Sequence, residues 1–137
     1  MAEKKAKKPM IKKPVTKKKR KVSASHEGII HIHSTANNTI VSLSDEKGNI
    51  LNWASSGTVG YKGTKKSTPY SAGQAATVVA GNAKNFGITS VKIQVNGIGQ
   101  GKDTAIRSID AAGLAITELI DSTPIPHNGC KPPKKPR

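Results

Sequence analysis

From Gly28 onward apolar and polar positions alternate: Ile30 and Ile32 are set against His31 and His33, the two-residue period of a half-buried strand. A weaker alternation follows, Val41 and Leu43 against Ile40 and Ser42. The turn-rich stretches STANN and DEKGN separate these runs, and Gly48 can take positive φ. Three antiparallel strands are predicted, near 28–35, 38–45 and 50–56, in a meander. The period then changes. Ala72, Ala75, Ala76, Val79 and Ala83 recur on one helical face, with Thr68 suited to the N-cap, Pro69 to the first helical position, Phe86 to the closing turn and Gly87 to the stop. Alanines on that face predict close packing on a sheet rather than a bulky core. SVKIQV, residues 90–95, alternates again as a strand. NGIGQGK leads into a second helix capped by Asp103 or Thr104, with Ile106, Ile109 and Gly113 inward, and AITELIDSTPI reads as a last strand.

The order βββαβαβ calls for right-handed crossovers between parallel strands. It predicts an α/β domain with a mixed five-stranded sheet, laid out as a ribonuclease H-like three-layer domain. Nucleases of that layout need carboxylates on the first and fourth strands to hold two metal ions. Here the first strand offers His31 and His33, and SVKIQVNG offers no acid. Asp45 and Glu46 fall in a hairpin turn, and Asp103 and Asp110 lie seven apart on one helix, where capping and solvation account for them. No catalytic residue is assigned.

Charge is unevenly distributed. The chain has 23 Lys and Arg against 8 Asp and Glu, a formal +15. Residues 1–22 hold eleven basic side chains and one acid, Glu3; residues 131–137 add Lys131, Lys134, Lys135 and Arg137 and no acid. Residues 23–130 net only +1. The expected organisation is a basic extension (1–22), a near-neutral globule (23–126) and a basic, proline-rich tail (127–137). Both extensions are expected to be disordered until they meet a polyanion. No apolar run approaches the roughly 18 residues of a membrane span, and no lipidation signal accompanies the lysines, so no membrane partner is expected. The N-terminus lacks the apolar region of a secretory signal. KKKRK, residues 17–21, has the look of a nuclear-import string, but any dense basic arm contains such strings by chance. The single cysteine, Cys130, excludes an internal disulfide framework and points to the cytosol.

Two glycine-rich loops, 56–68 and 97–102, each follow a strand and precede a helix. At the carboxyl edge of an open α/β sheet they would present helix N-termini and free amides to an anion. Lys62, Lys65 and Lys66 reinforce the first, Lys102 and Arg107 the second. Neither loop fits a nucleotide motif. Five residues beyond Gly57 or Gly60 comes a lysine where a P-loop needs glycine, and after Gly97 and Gly99 the third glycine comes at Gly101, one place too early for the dinucleotide fingerprint. His31 and His33 share a strand face at a spacing metals use, but with no nearby cysteine they are read as facing solvent or RNA, and no metal or cofactor is expected. Cys130 beside His127 lacks an orienting third residue and is not read as a nucleophile. Asn96-Gly97 and Asn128-Gly129 are open to succinimide chemistry or serve as tight turns. What remains is the phosphate backbone of a nucleic acid.

HIHSTANNTIVSLSDEKGN, GTVGYKGTKKSTPYSAGQAA, GIGQGKDTAIRSIDAAGL and above all DSTPIPHNGCKPPKKPR resemble the bacterial small-subunit ribosomal protein numbered eleven, from about residue 22 to 137. The resemblance implies a ribonuclease H-like sheet without its active site. It implies binding to small-subunit ribosomal RNA on the platform, near the messenger-RNA exit path and the cleft of the Shine–Dalgarno duplex. The implied neighbours are small-subunit proteins seven, eighteen and twenty-one, with assembly after proteins six and eighteen, and not a homo-oligomer. Carried over by residue, Asn37 and Asn38 occupy the family's turn; Lys62, Gly63, Lys65, Lys66, Ser67 and Thr68 its basic loop; Gly97, Gly99, Gly101 and Lys102 its second loop. His127, Asn128 and Gly129 open the tail. Lysine stands at 62 and 65 where the family often has arginine, which exchanges bidentate contacts for point charges. Ile98 and Gln100 stand where it usually has proline, which predicts a less rigid loop.

The mechanism implied is an RNA clamp, with HNGCKPPKKPR as a semi-rigid finger stiffened by Pro132, Pro133 and Pro136. Recognition is expected through shape and phosphate more than stacking, because of four aromatics only Tyr61 lies in a candidate loop and Trp53 is expected in the core. The charge count by itself would also fit a DNA-compacting basic protein.

Overall fold

The computed structural model describes residues 26–136. The basic extension predicted for 1–22, and Arg137, lie outside the described residues. The strands are β1 (Glu27–Ser34), β2 (Thr39–Ser44), β3 (Ile50–Ser55), β4 (Ser90–Asn96) and β5 (Ala115–Asp121); the helices are α1 (Pro69–Asn85) and α2 (Gly101–Ala111). The sheet order is β3-β2-β1-β4-β5. β2 runs antiparallel to β1 and β3, while β1, β4 and β5 are parallel. Every predicted element exists, in the predicted order.

Alternation fixes one buried face. Ile30 and Ile32 of β1, Val41 and Leu43 of β2, and Val91, Ile93 and Val95 of β4 are buried under Ala75, Ala76, Val79 and Ala83 of α1 and Ala105 and Ile109 of α2. The alanines let α1 lie close to the sheet, and Gly73 lets the helices touch: a Cβ there would fall 2.9 Å from Ser108 Oγ on α2. Thr68 caps α1, accepting from the Ser71 amide at 3.4 Å, and Pro69 follows it in the first turn. Gly87, at φ 84°, stops it as expected.

Four expectations are corrected. The described residues form two layers, not three. Both crossovers, β3 to β4 and β4 to β5, advance in the same direction across the sheet, so right-handed connections bring α1 and α2 to one face. The other face is left uncovered, and Trp53, expected in the core, is 56% exposed on it because the pleat turns Ala54 inward instead. α2 begins at Gly101, not at an Asp103 or Thr104 cap; Gly113 is not inward but ends the helix at φ 85°, and the buried positions are Gly101, Ala105 and Ile109, with Ile106 packed partly buried against the core as expected. β5 stops at Asp121, four residues early, where Thr123 folds its amide onto the Asp121 carboxylate (3.0 Å) and Pro124 has no amide to donate.

Candidate nucleic-acid interface

Because β1, β3, β4 and β5 are parallel, their carboxyl ends share one edge of the sheet. Four segments leave there: the turn 35–38, the loop 56–68, the loop 97–100 and the tail from Ser122. The shared edge expected for the two glycine-rich loops is therefore present. Buried hydroxyls and main-chain groups fasten the segments together. Ser34 Oγ lies 3.0 Å from Thr39 Oγ1, the Ser34 carbonyl accepts from the Gly99 amide at 3.0 Å, and the Thr39 carbonyl accepts from the Ser56 amide at 3.0 Å. Ser71 Oγ, in the first turn of α1, lies 3.1 Å from Ser56 Oγ. Ser34, Thr39, Ser56 and Ser71 are all buried, so each needs such a partner. Sequence reasoning missed these four; the available signal was small hydroxyl residues at strand ends opposite glycine runs.

The glycines of the second loop serve this packing. A Cβ on Gly97 would stand 2.0 Å from the Ser34 carbonyl oxygen, one on Gly99 2.2 Å from Ser34 Oγ, and one on Gly101 2.5 Å from Thr39 Oγ1. Gly99 and Gly101 are buried. Their part at this edge is to let the loop close on the β1–β2 turn.

The same loop anchors the tail. The Gly97 amide donates to Thr123 Oγ1 at 3.2 Å, and the Thr123 hydroxyl donates to the Asp121 carboxylate, which faces Lys102 Nζ at 3.9 Å. Hydrogen bonds from the Thr123 side chain and amide, and then the Lys102 charge, hold the Asp121 carboxyl below its ordinary value of 3.8. A carboxyl depressed in the folded state stabilises the fold above that ordinary value, and the contribution is lost as pH falls through the lower folded one. Thr123→Val should therefore raise the Asp121 value toward 3.8 and flatten this acid limb, read by NMR titration of the Asp121 side chain; an unmoved titration would show that Thr123 is not its main partner.

The basic loop is built differently. After β3, Thr58 and Ser55 bond each other reciprocally, and the Thr58 hydroxyl donates to the Ser55 carbonyl at 2.9 Å. Gly60 and Gly63 take positive φ with no atom near their missing Cβ, so here glycine serves backbone bends rather than packing. A 3₁₀ turn, Gly63–Ser67, absent from the sequence expectation, carries Lys65 and Lys66 into α1. Lys62 and Lys65 are exposed and Lys66 is half-buried. No acid occurs between Glu46 and Asp103, so the loop's lysines have no carboxylate on their own stretch of chain.

At the turn, Asn38 is committed internally, its Oδ1 accepting from the Thr39 amide at 2.9 Å, while Asn37 is exposed. Arg107 is exposed on the second turn of α2. His127, Asn128, Gly129, Lys131, Lys134 and Lys135 are exposed on a tail without helix or strand. Asn128 takes φ 61°, so Asn128-Gly129 does form a turn. His31 Nε2 is 3.1 Å from Ser44 Oγ, and His33 is exposed on the same uncovered sheet face. β4 carries no carboxylate, and Glu27 of β1 stands at the end of the strand away from the loops.

The domain sets lysines on its strand-end loops, and β1 and β4 carry no facing carboxylate pair. The family model described as ribosomal protein S11 matches residues 28–137. The chain is 60% identical over 120 residues to small ribosomal subunit protein uS11 of Mycoplasmoides gallisepticum, and 62% identical over 120 residues to that of Mycoplasma pneumoniae; each match spans 88% of this chain and 98% of the relative. The uS11 of Mycoplasma mobile is 51% identical over 125 residues, 91% of this chain and 93% of the relative. This chain belongs to the ribosomal protein S11 family, whose members are structural and not catalytic.

Proposed function

We propose that the edge formed by residues 35–38, 56–68, 97–102 and the tail holds small-subunit ribosomal RNA. As an S11-family protein the chain is a structural constituent of the small subunit of the cytoplasmic ribosome, with ribosomal RNA and other ribosomal proteins as partners. The observation that carries the interface is the fastening of four strand-end segments into one surface, with lysines outward and no acid between Glu46 and Asp103. Asn37, Lys62, Lys65, Lys66, Ser67, Arg107 and Lys102 supply charge and donors; Asn38, Gly63, Thr68, Gly97, Gly99 and Gly101 shape the backbone that presents them. His127, Asn128, Gly129, Lys131, Lys134, Lys135 and Arg137 form the finger.

The reading extends to a site on the platform, beside the messenger-RNA exit path and the Shine–Dalgarno cleft, with proteins seven, eighteen and twenty-one as neighbours. It takes residues 1–22, 23–126 and 127–137 as extension, globule and tail. The βββαβαβ order supports a ribonuclease H-like sheet put to a binding use. The uncovered sheet face, with Trp53, Ile40 and Ile120 exposed, supports burial against other parts of the particle rather than pairing with a second copy. Purified chain added to small subunits lacking it is expected to co-sediment through a high-salt wash. Loss in the wash, or a preference for duplex DNA over small-subunit RNA, would remove the reading.

A further inference from the structure

Tyr70, the second residue of α1, is 67% exposed and contributes nothing to the core. It meets Tyr61 of the basic loop edge to face, with ring centroids 6.2 Å apart and planes at 84°. Neither hydroxyl has a hydrogen-bond partner among the described residues. The backbone that carries them is held: the Tyr61 amide donates to the Ser56 carbonyl at 3.3 Å, and Tyr70 follows the Thr68 cap and Pro69. An edge-to-face pair is a favourable arrangement, and it leaves ring surface open to a third aromatic group. Beside the pair in sequence stand Lys62, Lys65 and Lys66, on a stretch without acids. A preset aromatic surface next to bare lysines suits a planar group attached to phosphates.

We propose that Tyr61 and Tyr70 form a shelf on which an unpaired RNA base stacks while the neighbouring lysines take phosphates of the same strand. The proposal rests on the RNA-binding reading above and narrows it. A paired A-form helix keeps its base faces stacked on one another, so the shelf selects a loop or bulge nucleotide. It also revises the expectation that this loop reads phosphate and shape with little stacking: Tyr61 has a partner that the sequence order hid, nine positions away across the 3₁₀ turn.

The test titrates the full chain with small-subunit ribosomal RNA at several salt concentrations. Y70A is expected to weaken binding about tenfold with an unchanged salt slope, and Y70F to bind within about twofold of the parent, because a stacked base needs the ring and not the hydroxyl. Y70L, which keeps bulk without a π-face, should lose as much as Y70A; Y70F should keep the parent's urea midpoint, and Y70A and Y70L should stay folded with a midpoint lowered only by the lost Tyr61 contact. K65A, in contrast, should lower the salt slope by about one. If the parent binds with a steep salt slope and Y70A and Y70L bind equally well, the shelf is wrong and the wider reading stands. If the parent itself shows no salt-dependent RNA affinity, the wider reading fails. Full RNA affinity in Y70A with poor incorporation into subunits would overturn the shelf in favour of a protein neighbour.

Discussion

Gly97→Ala is expected to destabilise the fold by about 3–5 kcal/mol, a value from the far tail of single substitutions. Two costs combine. At φ 106° any side chain is strained, by about 1–3 kcal/mol. The new Cβ would also stand 2.0 Å from the Ser34 carbonyl oxygen, 2.9 Å from its carbon and 3.2 Å from the Ser34 amide nitrogen. Ser34 cannot easily give way, because it ends the central strand, pairs with Thr39 and accepts the Gly99 amide. The loop must move instead, taking with it the Thr123 anchor and the start of α2. Gly48→Ala is the control: its φ is 88°, yet no atom lies within 4 Å, so the cost is the backbone strain of about 1–2 kcal/mol. Urea midpoints with a common slope measure both. Equal midpoints would mean that the loop opens freely and that the Ser34 contact does not hold the edge together.

That contrast bears on what the sequence made legible. Strand and helix positions were readable because alternation and helical spacing are local, and the caps at Thr68-Pro69 and Gly87 are chemical signals in adjacent residues. The shared edge followed from the parallel strands that each β-α-β unit joins. The purpose of each glycine was not readable: Gly60, Gly97 and Gly99 look alike in a string, yet Gly60 bends in open space, Gly97 combines a positive φ with close packing, and Gly99 is needed for packing. Trp53 was misplaced because alternation in ILNWAS is too weak to choose a face, and Ala54 took the inward position. Right-handed crossovers that advance in one direction across the sheet also imply helices on one face, a consequence obscured by analogy with a three-layer domain. Ser34, Thr39, Ser56, Ser71 and the Tyr61–Tyr70 pair depend on tertiary proximity, which no local pattern records.

Removing residues 131–137 is expected to weaken binding to small-subunit ribosomal RNA roughly a hundredfold near physiological salt, and to lower the salt slope by about three to four. The segment carries Lys131, Lys134, Lys135 and Arg137 and no acid. Each cation that neutralises a phosphate releases counterion, so four of them act on affinity and slope together. Pro132, Pro133 and Pro136 restrict the free tail, which reduces the entropy lost when it docks. The tail begins at the Gly97–Thr123–Asp121 anchor, so its path starts from the same edge as the basic loop, and charge from both can fall on one stretch of RNA. The globule should be unaffected, since the described residues 131–136 are exposed and none belongs to the hydrophobic core cluster. The full chain, neutralising roughly six phosphates or more, should itself lose about a thousandfold between 50 and 200 mM salt. A truncated chain with the parent's slope would show that these four charges face solvent in the bound state, leaving the loops to hold the RNA by themselves.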